Sequence, residues 1–436
     1  MLTRRRFLGY SAAGILALAS GCRPANFQQL LETKQAAFGR PELAGKLSRA
    51  QRKNLLLGYP INMNTPPEEF FAWRAELRRV GIGEFAYNNV GNPYRPSTIA
   101  FNTHDFEREL IARFAQVYGF PPGDVWGFLS HSGTDSNMHG MYLGRTLLKG
   151  RTGILPKCYF TKEAHYSIQI LRDLLGLETV WVETLPDASM DVEDLKRKLA
   201  QNADRPALVV ATVGTTFKGG IDPVDKIQEV LQGAGIPSYL HLDAALFGGY
   251  LPYTQRAFEV LHSPSGGQKR YDSLAVSCHK FFGFHSPAGI FLTTQSHFEE
   301  FLEFYSQVHN PEYIGHVPGT ITCSRDAVKP AEFYFFSTPE AQARQAKDAR
   351  LMLEHTDYLF DRMQNFFSQL APKRASEVSN TVYFKKPADW IVKKYALATM
   401  KLETQELAHV VVMPHVDQSV LDEFLTDLKR TPVKPL

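Results

Sequence analysis

Short, continuously apolar runs, each followed by a stretch with helical spacing, recur through the middle of this chain and leave few folds open to it. The runs at residues 125–129, 207–213, 239–242 and 273–277 are too short for helices. They lack the polar alternation of a strand with one wet face. The stretches at 136–148, 165–175, 192–201 and 223–233 carry apolar residues at helical spacing. Buried strands alternating with helices predict an α/β fold, a mainly parallel sheet covered on both faces. Upstream, Phe106, Leu110, Ile111, Phe114 and Val117 mark a helix from about residue 105. Residues 88–103, rich in Asn, Pro and Gly, read as a long ordered loop. Beyond about residue 311 the pattern shifts to a long helix at 340–370 and strand-like runs at 381–384 and 409–413. The expected organisation is a leader (1–22), an N-terminal arm (23–95), a large domain (96–310) and a small C-terminal α+β domain (311–436).

Charge narrows the partners. Lys and Arg number 48 against 45 Asp and Glu, and the excess sits in Arg4, Arg5 and Arg6, so the remaining body carries 45 of each. Net charge therefore gives no support to nucleic-acid binding. Thr3-Arg4-Arg5-Arg6-Phe7-Leu8 precedes an uncharged, mostly apolar stretch at 9–21 that is too short to span a bilayer. This predicts an export signal rather than an anchor, and it resembles the twin-arginine type. Leu18-Ala19-Ser20-Gly21-Cys22 also matches a lipoprotein cleavage site, with Ala19 where Leu is preferred. The expected address is the periplasm or cell envelope, with a lipid on Cys22 as one means of attachment, and the cytoplasm if the leader does not function. Cys158, Cys278 and Cys323 have neither C-x-x-C nor zinc-ligand spacing. Each reads as a buried free thiol, and no metal site is expected.

The residues that carry chemistry cluster where predicted strands end, the place open α/β sheets use for ligands. Ser132-Gly133-Thr134-Asp135-Ser136-Asn137 follows a strand and opens a helix, so its small residues offer free N–H groups to a phosphate. No Gly-Lys-Ser/Thr follows, so it is not a Walker loop. His165 begins the next helix, where a lone His is more often structural. Thr212 closes an apolar strand, and Asp243 closes another, a position costly for a carboxylate unless a cation pairs with it. In Ser277-Cys278-His279-Lys280, a Lys follows a strand and adjoins an imidazole and two Phe residues. Desolvation there lowers its pKa and makes the amine a nucleophile. Each feature alone has a bland explanation. Together they meet the needs of pyridoxal phosphate: a phosphate cradle, a Schiff-base lysine, an acid for the ring nitrogen and a flat group on the ring.

These motifs, in this order, resemble those of the pyridoxal-phosphate-dependent amino-acid decarboxylases of fold type I, in the branch of bacterial histidine and plant serine enzymes. The resemblance runs from about Leu56 to the C-terminus through Leu57-Gly58-Tyr59-Pro60, Ala164-His165-Tyr166-Ser167, Gly214-Thr215-Thr216, Asp243-Ala244-Ala245, His279-Lys280, Thr320-Ile321-Thr322 and residues 409–414. It implies that Lys280 binds the cofactor covalently and that Asp243 holds the pyridine nitrogen. His165 would stack on one ring face with Ala245 against the other, and Thr212 would bond the ring hydroxyl. Gly133, Thr134, Ser277 and His279 would surround the phosphate. Tyr313 matches a loop tyrosine that returns a proton to the substrate Cα. A homodimer with shared sites is implied as well.

Two departures from the family pattern stand out, and the second, near where the family builds its substrate pocket, bears on the substrate. Asp135-Ser136 replaces the family's Glu-Gly, and Cys323-Ser324-Arg325-Asp326-Ala327-Val328 replaces Gly-Ser-Arg-Asn-Gly-His. The expected reaction is decarboxylation of an L-amino acid, with L-histidine the first choice and serine or another amino acid the alternative. A reading of another class is an exported lipoprotein that binds cofactor or amino acid without turnover. Retention of Lys280 and Asp243 argues against it.

Overall fold

The computed structural model describes residues 44–430 apart from residues 122 and 263–270. The export signal, Cys22 and residues 23–43 of the expected arm lie outside the described residues. Contacts divide the chain into residues 1–53 and 54–436. Of the first unit a short helix at Ala44–Ala50 is described; the elements below belong to the second.

A short strand β1 (Asn88–Val90) opens the segment expected to be a loop, and helix α1 (His104–Val117) follows it. Strands β2 (Trp126–Ser130), β3 (Lys157–Thr161), β4 (Glu178–Val182), β5 (Ala207–Thr212), β6 (Ser238–Asp243), β7 (Ser273–Ser277) and β8 (Gly289–Thr293) form the central sheet. Their order is β2-β8-β7-β6-β5-β3-β4, and β8 alone runs antiparallel to its neighbours. The mainly parallel α/β sheet expected from the apolar runs is thus present. Sequence pattern missed β3, β4 and β8. Lys157 and Thr161 break the apolar run of β3, and β4 is a half-exposed edge strand.

From β3 the chain goes outward to β4 and then returns across β3 to β5, after which β6 and β7 are added on the other side. The crevice at such a reversal lies at the carboxyl ends of β3 and β5. Helices α2 (Gly133–Thr152), α3 (Tyr166–Leu174), α4 (Val192–Gln201), α5 (Val224–Ala234) and α6 (Gln295–Tyr305) accompany the strands. Helix α2 lies close on the face that carries Tyr239, His241 and Asp243. A Cβ at Gly140 would collide with the His241 ring, and that ring bonds Asn137 Oδ1 of the same helix at 3.0 Å. This contact sets the first turn of α2 beside the ends of β6 and β7.

Strand β9 (Ser324–Asp326) pairs antiparallel with β1. Helix α7 (Pro339–Phe366) leads to a three-stranded antiparallel sheet of β10 (Thr381–Lys385), β11 (Ala398–Lys401) and β12 (Glu406–Val411), in the order β10-β12-β11. Helix α8 (Gln418–Lys429) packs beside α7. Among the described residues no helix is long and apolar enough to cross a membrane. Cys158 and Cys278 are buried free thiols as expected, but Cys323 is exposed, on the loop leading into β9.

Candidate active site

One cleft collects the ends of four parallel strands. His165 follows β3, Thr212 ends β5, Asp243 ends β6 and Lys280 follows β7, and all four line the cleft with Ala245. Pro60, Thr381 and Val411 close it from the N-terminal segment and the C-terminal sheet. None of these three was singled out as a site residue. Thr381 and Val411 sit in ordinary apolar strands and carry no local signal of a ligand.

Asp243 is buried, and its Oδ1 accepts the Ala245 N–H at 3.2 Å. Burial holds the Lys280 amine below its ordinary pKa, with the Asp243 charge pulling the other way. His165 is pushed down by burial, raised by Asp243 and lowered by Lys280. Its Nδ1 accepts the Ser167 N–H at 3.3 Å and lies 2.8 Å from Ser167 Oγ. An acceptor at Nδ1 places the neutral ring's proton on Nε2. A neutral, oriented imidazole at the cleft wall suits stacking on a flat ring.

Thr212 contributes a different signal. Its Oγ1 is buried and has no hydrogen-bond partner. Its backbone N–H is held by Asp222 Oδ2 at 2.7 Å, and Asp222 Oδ1 accepts the Met190 N–H at 2.7 Å. Asp222 is fully buried, and burial pushes its carboxyl up to about 7 against the effect of those two N–H groups. Reading the sequence missed it, although an acid in the apolar context Ile221-Asp222-Pro223 carries the same warning as Asp243.

Gly133, Thr134, Ser277 and His279, expected around the phosphate, are not among the residues lining this cleft; the first turn of α2 stands beside it, next to Ala245. Ser132 Oγ accepts the Asp135 N–H at 3.2 Å, and Asp135 Oδ2 accepts the His131 N–H at 2.9 Å, a reciprocal cap. A Cβ on Gly133 would meet Ser277 Oγ, so glycine lets the helix end approach β7 without turning that hydroxyl aside. Thr134 beside it is exposed, and His279 keeps Nδ1 buried without a partner. Thr322 Oγ1 donates to Asp135 Oδ1 at 3.2 Å, tying the 320–322 turn to this cap. Behind it, Arg325 of β9 makes a fully buried ion pair with Glu107 of α1, whose Oε1 also accepts the Leu129 N–H at 3.0 Å. Arg325 is therefore a framework residue.

Tyr313 is not among the residues that line the cleft. It stands in a helical turn at Glu312–Ile314 between α6 and β9, with 80% of its surface exposed. The expected proton donor is thus not brought to the site of its own chain.

A lysine, an acid and an orphaned hydroxyl around one cleft, with a helix N-terminus beside it, define the class: an enzyme built for pyridoxal phosphate. The residues present fit that group. The buried Thr212 hydroxyl lacks a partner, the Lys280 amine is depressed, and the N-terminus of α2 packs next to Ala245. The model of the pyridoxal-dependent decarboxylase conserved domain matches residues 152–336. Histidine decarboxylase of Solanum lycopersicum is 31% identical over 385 residues, covering 87% of this chain and 85% of that protein. Histidine decarboxylase of Pseudomonas entomophila is 32% identical over 376 residues, covering 85% of each. Serine decarboxylase 1 of Oryza sativa subsp. japonica is 31% identical over 386 residues, covering 86% of this chain and 73% of that protein. The crystal structure of L-methionine decarboxylase from Streptomyces sp. 590 superposes with a TM-score of 0.75 at 22% identity, covering 94% of this chain and 96% of that one, a likeness of fold. The chain belongs to the pyridoxal-dependent decarboxylase family. Its reaction is pyridoxal-phosphate-dependent decarboxylation of an amino acid, and it is a carboxy-lyase of fold type I.

Proposed function

We propose that the amino acid is L-histidine and the product histamine. The observation that carries this is the similarity to histidine decarboxylases from both a plant and a bacterium over most of each chain. Serine is the second reading, favoured by the rice serine decarboxylase at the same identity.

Bound pyridoxal phosphate supplies the sink for the electron pair left at Cα when carbon dioxide departs. Asp243 holds a proton at the ring nitrogen, which places its negative charge where the transition state needs it. His165 would stack on the ring with Ala245 opposite, and the Thr212 hydroxyl would donate to the ring oxygen. Gly133, Thr134, Ser277 and His279 hold the phosphate. Lys280, whose amine burial holds below its ordinary pKa, would be the residue that holds the cofactor. Tyr313 returns a proton to Cα. Because it does not line its own chain's cleft, this role belongs to a homodimer in which the 312–314 turn of one copy closes over the other's site. The leader directs the protein to the periplasm or cell envelope by the twin-arginine route, which carries folded proteins with cofactor bound.

Competition between L-histidine and L-serine, with histamine and ethanolamine quantified, tests the substrate. A site that hydrogen-bonds imidazole leaves its polar groups unpaired with serine, so the specificity constant for histidine should be at least about a hundredfold higher. Predominant ethanolamine overturns histidine and leaves the decarboxylase. For the address, replacing Arg4 and Arg5 by Lys should hold active protein in the cytoplasm on cell fractionation, because Lys does not mimic paired guanidinium groups. Undiminished export would refute the twin-arginine route.

A further inference from the structure

The segment at residues 56–63 crosses the C-terminal sheet as a strap, and two histidines hold it. His409 on β12 faces two carbonyl oxygens, with Nδ1 2.7 Å from Phe217 O and Nε2 3.1 Å from Gly58 O. Its ring also stacks on Phe217, with centroids 4.4 Å apart. Beyond the strand, His415 Nδ1 accepts the Met63 N–H at 3.2 Å, and its Nε2 lies 3.3 Å from Leu56 O. An acceptor at Nδ1 puts the neutral ring's proton on Nε2, so this second contact is a donation. Burial disfavours the charged form of His409, so its one ring proton bonds Gly58 O or Phe217 O; His415 grips the strap at Leu56 and Met63, and His409 grips it at Gly58 with that proton on Nε2. Between them the Val411 N–H donates to Leu57 O at 2.7 Å, and the Leu57 N–H donates to Tyr395 O at 3.0 Å. The strap lies so close to residues 396–398 that a Cβ on Gly58 would collide with Ala396 O.

The grip reaches the cleft through the backbone. Pro60, in the middle of the strap, is a cleft wall, and so is Val411, two residues from His409. Phe217 follows Thr216, which also lines the cleft. Further along the strap, the Asn62 N–H donates to Lys280 O at 3.2 Å, and Asn62 Nδ2 donates to Phe281 O at 2.9 Å. Neither histidine lines the cleft itself; His409 bonds Phe217 next to the cleft residue Thr216, and His415 holds the two ends of the strap on either side of Pro60.

We propose that His409 and His415 are positioning residues that buckle strap 56–63 to the C-terminal sheet, and so seat Pro60 against the substrate and Asn62 against the Lys280 turn. The strap's anchoring is independent of the reaction; its effect on substrate rests on the decarboxylase reading of the cleft. Buried hydrogen bonds of this kind hold a segment closed against local opening, so cutting them should appear first as faster exchange of the strap.

Hydrogen exchange on the cofactor-loaded protein tests the anchoring, and steady-state kinetics test its consequence. In His415→Leu and His409→Leu, protection of residues 56–63 should fall about tenfold or more while that of α2 is kept. The KM for the amino acid should rise at least about fivefold with kcat little changed, the mark of lost binding rather than lost chemistry. His415→Asn, whose side-chain oxygen can replace Nδ1 as acceptor for Met63, should restore most of the Met63 protection. Unchanged strap protection in both Leu variants overturns the buckle. A loosened strap with unaltered KM and kcat overturns its role at the site. If protection of α2 falls as well, the Asn variant decides: full loss of Met63 protection there refutes the assignment. Absence of any amine product from the wild type would instead sink the decarboxylase reading, while the exchange data still judge the buckle.

Discussion

Replacing Thr212 by Val should strengthen the cofactor-free protein and weaken its hold on the cofactor. The Thr212 hydroxyl is buried without a hydrogen-bond partner, so the folded, cofactor-free chain bears its desolvation uncompensated, at about 1–3 kcal/mol. Val keeps the branched shape and the backbone N–H that Asp222 holds, and removes only the orphaned group. The cofactor-free variant should therefore gain up to about that amount, seen as a higher denaturation midpoint. With cofactor bound the sign reverses. On the role proposed for Thr212, the wild type would then make a buried hydrogen bond to the ring oxygen that the variant cannot make, and in the variant the ring oxygen would lose its donor. The combined change weakens cofactor binding by about 1.4–3 kcal/mol, or roughly 10- to 150-fold in Kd. Denaturation with and without cofactor, together with a spectrophotometric titration of pyridoxal phosphate, reads both halves. A cofactor-free variant less stable than the wild type, or an unchanged Kd, would show that the hydroxyl is satisfied elsewhere and that this site reading is wrong.

Two further outcomes follow from the same geometry. After borohydride reduction of the holoenzyme, peptide mass spectrometry should find the cofactor on Lys280; in Lys280→Ala no peptide should carry it, and a label on another lysine would displace the assignment. Asp222 makes stability depend on pH. Its folded pKa, near 7, lies above the ordinary 3.8, so the folded state holds the proton more tightly. That contribution is full below about pH 4 and lost as pH rises through 7, at most about 4 kcal/mol for three units. Asp222→Asn should flatten denaturant stability across pH 4–7, and an unchanged slope would mean that the carboxyl titrates normally.

Much of this protein is written locally. The continuous apolar runs of β5, β6 and β7 can be buried only in a covered parallel sheet, so the fold class followed from them before any contact was known. The residues at their ends were legible for the same reason, because an acid or lysine next to such a run has no cheap explanation. His165, Thr212, Asp243 and Lys280 all reach one cleft. Edge strand β4, half exposed and carrying Glu178 and Thr179, has no such signature and was missed. Asp222 advertised only a cost, not a partner: that it holds Thr212 depends on a turn that brings residues ten apart face to face. Tyr313 is exposed in its own chain, so whether it reaches a site depends on contacts that its position in the sequence does not show. The cleft's remaining walls, Pro60, Thr381 and Val411, come from segments more than 300 residues apart and carry apolar or hydroxyl side chains that any strand or loop can hold. Only the packing of the N-terminal strap against the C-terminal sheet makes them neighbours. Strand type and end residues are set by short-range pattern and by the cost of burying charge, whereas the shape around the substrate is set by long-range contacts that leave no mark on either segment alone.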